Sequence, residues 1–186
     1  MHVIRTLLPT EFNLLRDHLL RLDPEDRYRR FQGHASDARI VEYVAGLDRF
    51  RAIVVAWIED GQMRGAAELA RLGAPSLTHA ELAVTVEGPW QDRGIGTDLL
   101  RRALILARNR GIERVHMICL ATNQRMRHLA DKFAGRMVDL DGEIEATLAL
   151  RAPDGFSLLE EALGLGQASV VSALEQFVPR RPAGGP

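Results

Sequence analysis

Near the middle of the chain, Gln91, Asp92, Arg93, Gly94, Ile95 and Gly96 have types and spacing suited to holding a phosphate. The Q-x-x-G-x-G order places glycines, which let backbone come close to a ligand, beside two side chains, Gln91 and Arg93, that can add donors. With a helix opening just after the loop, at Thr97, its unpaired amides and dipole attract a pyrophosphate. A glycine loop that only makes a tight turn is the alternative reading. A Walker loop is excluded, because Gly-Lys-Ser/Thr is absent, and so is a dinucleotide fingerprint, which needs G-x-G-x-x-G near the first strand. Upstream, THAELAVTVE alternates, with Leu82, Val84 and Val86 on one face and Glu81, Ala83, Thr85 and Glu87 on the other. That leaves Glu81 free to work as a general base or to stand as a solvated strand glutamate. His79 shares its face, as a second base, a substrate contact or a surface histidine, and Glu68 either binds a cationic substrate or faces water.

The elements that position these residues follow from periodicity. Residues 3–7 read as a strand, and Pro9 and Thr10 open a helix with Phe12, Leu15, Leu19 and Leu22 inward. Asp23 and Pro24 start a second helix, DPEDRYRRF, with acids in its first turn and arginines in its last. Its Arg27, Arg29 and Arg30 are expected on a solvated face, ahead of a substrate-facing patch. Ser36 caps a third helix reaching Gly46. A hairpin turning at Asp60 and Gly61 comes next, then the Glu81 strand, the glycine loop, and a helix with Leu99, Leu100, Ala103, Leu104 and Ala107 inward that stops at Gly111. The strand ERVHMICL, in which His116 and Met117 read as packing, leads to the helix NQRMRHLADKFA and a closing hairpin at Asp141 and Gly142. The order is β, helices, βββ, α, β, α, ββ.

Composition sets the outer bounds. A chain of 186 residues, 46% hydrophobic and 26% charged, suits one domain with a substantial core. A formal net charge of −1 argues against attachment to nucleic acid or to a membrane by bulk charge. The longest apolar run, 52–58, is far short of the roughly twenty residues of a spanning helix, and no signal-peptide pattern opens the chain, so a cytoplasmic protein is expected. Cys119 is the single cysteine and sits in an apolar run, which reads as a buried, inert thiol. The six histidines show no i, i+4 pairing with acids, and no metal is expected. Residues 156–178 are amphipathic, and 179–186 read as a disordered tail.

The stretch AELAVTVEGPWQDRGIGTDLL, the strand ERVHMICL and the asparagine-led helix NQRMRHLADKF, with Asn123, Met126, Leu129 and Lys132, together resemble the GNAT superfamily of acyl-CoA-dependent N-acetyltransferases. That superfamily's signature is Q/R-x-x-G-x-G/A between a strand and a helix. The resemblance covers 3–150 in element order and is close over 79–135. LDPEDRYRRF and AELAVTV are also similar to the GNAT domains of bacterial protein-lysine acetyltransferases.

The resemblance implies an α/β GNAT fold, a mixed central sheet flanked by helices, over 1–150, with a helical extension at 151–178. It implies acetyl-CoA as co-substrate and direct attack by a primary amine in a ternary complex. An alkylammonium, pKa near ~10.4, is protonated at neutral pH, so a base must act first, and by resemblance it is Glu81. Backbone around Val84, Thr85 and Val86 would hold the pantetheine, the loop from Gln91 through Asp92, Arg93, Gly94, Ile95 and Gly96 to Thr97 the pyrophosphate, and Asn123 would add a cofactor contact. The implied acceptor is a protein lysine, ahead of a small-molecule amine, on a monomer or homodimer. Two departures stand out: Ala130 replaces the tyrosine that many members use as acid, and Gly135 falls one residue late. A non-catalytic acyl-CoA-binding module is therefore the competing class, and a nucleotide-binding domain with a chance glycine loop is a third.

Overall fold

A computed structural model describes residues 2–49, 51–73, 77–133 and 135–164. Its elements are β1 (His2–Thr6), α1 (Phe12–Arg21), α2 (Pro24–Phe31), α3 (Asp37–Gly46), β2 (Ala52–Glu59), β3 (Gln62–Arg71), β4 (His79–Val86), α4 (Ile95–Asn109), β5 (Arg114–Leu120), α5 (Gln124–Lys132), β6 (Arg136–Leu140) and β7 (Glu143–Ala149). This is the order the periodicity predicts. Local chemistry explains the joints. Asp60 and Gly61 have φ of 50° and 74°, and Asp141 and Gly142 have 52° and 100°. Both hairpins thus turn through paired left-handed residues, whose twist matches that of the flanking strands. The Asp23 and Ser36 side chains accept from the amides of Asp26 and Arg39 and cap α2 and α3.

The seven strands form one mixed sheet, β1-β2-β3-β4-β5-β7-β6. On one face α4 buries Leu99, Leu100, Ala103, Leu106 and Ala107 against Val55, Ala67, Leu69, Leu82 and Met117. Leu106 is buried where Leu104 was expected, because the stripe rotates toward the sheet and leaves Leu104 at its rim. On the other face α1 and α3 bring Leu15, Leu19 and Ile40 onto Val54, Ala56, Ile58 and Ala66. A side chain at Gly65 would meet Leu99 Cδ1 at 3.0 Å and the Thr85 carbonyl at 3.3 Å, so glycine sets how closely β3 approaches α4.

The junction that matters for function is between β4 and β5, the sheet's parallel pair. Their register runs His79 with Arg114, Ala80 with Val115 and Glu81 with His116, and there the pairing ends. Beyond it the strands diverge and leave a V-shaped gap in the middle of the sheet.

β4 keeps its course through a buried polar cluster at its end. Glu87 takes hydrogen bonds from Arg21 Nε at 2.9 Å, Arg64 Nη1 at 2.9 Å and His18 Nδ1 at 3.1 Å. His18, fully buried, also holds Thr85 Oγ1 through Nε2 at 2.9 Å. Burial alone would push the Glu87 carboxyl up, but the His18, Arg64 and Arg21 hydrogen bonds outweigh it and bring it from 4.5 down to about 2. A group with a depressed folded pKa stabilises fully above its unfolded value and loses that contribution as pH falls through the folded one. Stability should therefore drop by about 3 kcal/mol at this group between about pH 5 and pH 2. Urea unfolding across that range checks it, and in Glu87→Gln the acid slope should flatten.

A last helix at 155–164 docks on α4. Arg102 donates to the carbonyls of Glu160 and Glu161, and Asn109 Nδ2 to that of Ser157. The expected helix in the remainder of 151–178 and the expected tail at 179–186 lie outside the described residues beyond 164. Among the described residues no helix is long and apolar enough to cross a membrane.

Candidate active site

The gap between β4 and β5 opens into a cavity of about 370 Å³ that reaches from the glycine loop, past α5, to α2 on the other side of the sheet. From β4 it is lined by Val84, Thr85 and Val86, from the loop by Gln91, Asp92 and Gly94, and from the start of α4 by Ile95, Gly96 and Thr97. Asn123 lines it at the head of α5. A single cavity thus contains every residue expected around the cofactor except Arg93, which is exposed on the loop.

Several braces shape the loop. Trp90 Nε1 donates to Glu59 Oε2 at 2.5 Å, and the Arg64 guanidinium stands 4.2 Å from the centre of the Trp90 ring. Gln91 Nε2 donates to Asp26 Oδ2 at 2.6 Å and to the Val86 carbonyl at 2.9 Å. Gln91 therefore works as a strut tying the loop to α2 and to β4, where the sequence suggested a phosphate donor. Asp92 and Gly94 then take φ of 58° and 82° and turn the chain into α4. Gly94 caps α4 without any side-chain acceptor, and the amides of Ile95, Gly96 and Thr97 find no acceptor among the described residues. Fixed, unpaired donors at the positive end of a 15-residue helix make an anion site. Added Cβ atoms would meet nothing within 4 Å at Gly94, and only Leu129 and Val84 side chains, at 3.9 Å, at Gly96, so the ligand side of the loop is open.

Asn123 Oδ1 accepts from the Met126 amide at 3.2 Å and caps α5, so its first role is to aim that helix at the gap. The Thr85 hydroxyl is engaged with His18, and its backbone faces β3, since the ladder bonds of His79 and Glu87 set the odd residues of β4 toward that strand. Along β4 above the Glu81–His116 pair, the edge facing β5 has no strand partner among the described residues, which leaves the backbone of Val84 and the Val86 amide for a bound arm, the Val86 carbonyl being taken by Gln91.

Glu81 lies at the closed end of the V. It is exposed, lies outside the cavity lining and makes no hydrogen bond or ion pair among the described residues. Glu68 corrects both readings offered for it. It is 7% exposed and takes hydrogen bonds from Arg30 Nη2 at 2.9 Å and Tyr43 Oη at 2.9 Å. The cation it binds is the chain's own Arg30. Burial opposes the Arg30 charge, but Glu68 and Tyr43 hold the guanidinium firmly protonated, while burial and Glu68 push the Tyr43 phenol up. Arg27 likewise is tied to Asp37 and to the Leu20 and Leu22 carbonyls, so α2 does not present the solvated arginine face expected of it. Arg29 and Arg30 instead form part of the cavity wall. His79 Nδ1 lies 3.1 Å from His116 Nε2, and His116 proves to be a hydrogen-bonded polar group where packing was expected.

Sequence reasoning missed Arg125, Met126, His128 and Leu129, the α5 side of the cavity, and Ile118 and Cys119 on the free edge of β5. The i, i+3 spacing of Met126 and Leu129 was the available signal. Burial pushes the Cys119 thiol up, against a weaker opposite pull from Arg127, so it stays protonated at neutral pH. Alkylation of Cys119 by iodoacetamide should accordingly be at least about tenfold slower than that of a free cysteine, and slower again with coenzyme A filling the cavity. Mass spectrometry of the time course checks both. Ala130 is buried, 3% exposed, and offers no proton to the cavity. Among the described residues, no group of three or more His, Cys, Asp or Glu side chains could hold a metal ion.

Comparison with known proteins converges on one family. A model of the acetyltransferase (GNAT) family matches residues 13–135. Acetyltransferase Pat of Mycolicibacterium smegmatis is 29% identical over 141 residues, spanning 74% of this chain but 42% of that protein. Acetyltransferase PA5475 of Pseudomonas aeruginosa is 27% identical over 131 residues, 68% of this chain and 70% of its own. Among solved structures, the GNAT domain of S. lividans PAT superposes with a TM-score of 0.68 at 22% identity, covering 79% of this chain and 89% of that one.

Proposed function

Because the chain belongs to the acetyltransferase (GNAT) family, we propose that it is an acetyl-CoA-dependent N-acetyltransferase that acetylates a primary amine, with a protein lysine as acceptor. The observation that carries this reading is the continuity of the cavity. It starts at the amides of Ile95, Gly96 and Thr97, which have no acceptor among the described residues, and follows the edge of β4 as far as Ala83 and that of β5 as far as Ile118, two residues beyond the Glu81–His116 pair. The residues fit the cofactor they would hold: a helix start free of side chains for the pyrophosphate, and free strand edges with Val84 and Val86 for the pantetheine arm. Arg125 and His128 add positive or donor groups on the α5 side. When bound, acetyl-CoA supplies an activated acetyl thioester.

The chain's own residues prepare the acceptor. Glu81, exposed and without a partner among the described residues, attracts the ammonium and, directly or through a water, accepts its proton. The Glu81 face favours a macromolecular acceptor, since the sheet there is open: every residue of β6 is exposed, and Ile118 on β5 is 40% exposed. A small-amine enzyme would be expected to close an acid-lined pocket around its substrate, yet the buried Glu68 is spent on Arg30. The buried Ala130 keeps a non-catalytic acyl-CoA-binding module as the second reading, because it leaves no side chain in the tyrosine position to protonate a leaving thiolate.

Calorimetric titration with acetyl-CoA, with ATP as control, tests the reading. Selective binding of acetyl-CoA is expected, with a rise of roughly 2.7 kcal/mol in unfolding stability at a hundredfold excess over Kd. Turnover with lysine peptides set against a panel of small amines then assigns the acceptor. Binding without turnover on either set favours the second reading, and equal response to ATP and acetyl-CoA would sink both.

A further inference from the structure

Glu81, His116, Thr147 and Arg136 are register partners across β4, β5, β7 and β6 and so stand in one row on one face of the sheet. His79 stands on the same face, two residues before Glu81. On this face His116 Nδ1 lies 2.8 Å from Glu145 Oε1 and 3.4 Å from Thr147 Oγ1, and His116 Nε2 lies 3.1 Å from His79 Nδ1. The chemistry of the groups fixes where the protons sit. An ionised carboxylate only accepts, so His116 Nδ1 carries hydrogen. In the neutral ring Nε2 is then an acceptor, so His79 Nδ1 must donate to it, and His79 Nε2 is left with a free lone pair.

Resting on the acetyl-transfer reading above, we propose that His79, His116 and Glu145 form the proton sink of the acceptor site. Glu81 takes a proton from the incoming ammonium and passes it on to His79 Nε2. The hydrogen on His79 Nδ1 then moves to His116 Nε2, which restores a neutral His79 and leaves an imidazolium on His116 beside the Glu145 carboxylate. Net, only N–H bonds exchange, and one proton is gained overall. The position supports this path: the row crosses the sheet at the last β4–β5 pair, two residues from the end of the cavity, and the His116 and Glu145 side chains are 21% and 33% exposed, sheltered from bulk water yet within its reach. The other charges on this face are Arg114, the register partner of His79, Glu143 on β7, Arg136 on β6 and, farther along β3 and β4, the mutually paired Arg64 and Glu87 and the Arg30-bound Glu68. From α2, Arg30 is neutralised by Glu68, and Arg29 by Glu25 and Asp26.

The test has one arm that needs no acceptor. Ring-nitrogen NMR of the whole protein at neutral pH should show both His116 and His79 as Nδ1–H tautomers, with a through-bond coupling across the hydrogen bond from His79 Nδ1 to His116 Nε2. The Nε2–H tautomer on His116, or no coupling between the two rings, would overturn the proposal. In the second arm, with acetyl-CoA and polylysine, His116→Gln should lower kcat about tenfold at pH 7 with KM unchanged. Added imidazole should restore part of the loss. A kcat within about twofold of the parent with the same pH profile, or a loss in KM alone without imidazole rescue, would refute it. Acetyl-CoA calorimetry on the unaltered protein separates the two failures: no binding defeats the transfer reading, whereas binding by a protein whose two rings show no coupling defeats only the sink.

Discussion

Glu81→Gln is expected to lower kcat for amine acetylation by about 10²- to 10⁴-fold at neutral pH while leaving the Kd for acetyl-CoA unchanged. The size follows from the task. An alkylammonium gives up its proton only to a placed acceptor, and glutamine keeps the shape and hydrogen-bonding reach of glutamate without the basicity. The selectivity follows from location, because Glu81 lies outside the cavity lining and at the far end of β4 from the loop. Nor should folding suffer, since the carboxylate is exposed and has no partner among the described residues to strand. Single-turnover rates at saturating acetyl-CoA, with calorimetry on the same preparation, measure both halves. Equal loss of binding and rate would place Glu81 in the cofactor site instead, and an unchanged rate would remove it as the base.

The second large effect is expected at the opposite end of the cavity. Gly94→Glu should raise the Kd for acetyl-CoA at least about 100-fold, roughly 2.7 kcal/mol, with the fold kept. Gly94 has φ of 82°, where an L side chain costs about 1–2 kcal/mol, but a Cβ there meets nothing within 4 Å, so the strain is local and the core is untouched. The new carboxylate would compete for the Ile95, Gly96 and Thr97 amides and repel phosphate from them. Gly94→Ala separates the contributions, since it carries the backbone strain without the charge and should weaken binding far less. Circular dichroism confirms the fold, and calorimetry reads the affinity. Tight binding by Gly94→Glu would mean that the pyrophosphate does not use this helix start.

The element order and the glycine-loop side of the cavity were legible because their causes are local. Periods of two and 3.6 mark β4 and α4, Asp-Gly pairs mark the hairpins, and Gln91, Gly94 and Gly96 lie within a few residues of one another. What escaped was non-local. Glu68 and Arg30 are far apart in the chain, and nothing near either one announces that each neutralises the other. Gln91 has the composition of a ligand donor, but Asp26, a residue of α2, determines what it donates to. His116 sits among apolar neighbours in sequence, and only the β5–β7 register brings Glu145 and Thr147 to it. The same holds for Leu104 and Leu106, where the sheet behind α4, and not the helix alone, decides which leucine is innermost.

The early end of the β4–β5 pairing has a mechanical consequence. β1–β4 and β5–β7 are two half-sheets whose edges are laced together by the register pairs of His79, Ala80 and Glu81 and by the Thr78 carbonyl just before them, which accepts from the Glu113 and Arg114 amides. A ligand arm lying in the gap would act as a missing rung between them, so the free protein should behave as a spring with a short weld and the occupied one as a continuous plate. Amide hydrogens of Val84, Val86, Ile118 and Leu120, which face the gap, would then exchange quickly in the free protein and slowly when the gap is filled, while those of β2 and β3 would keep the same rate in both.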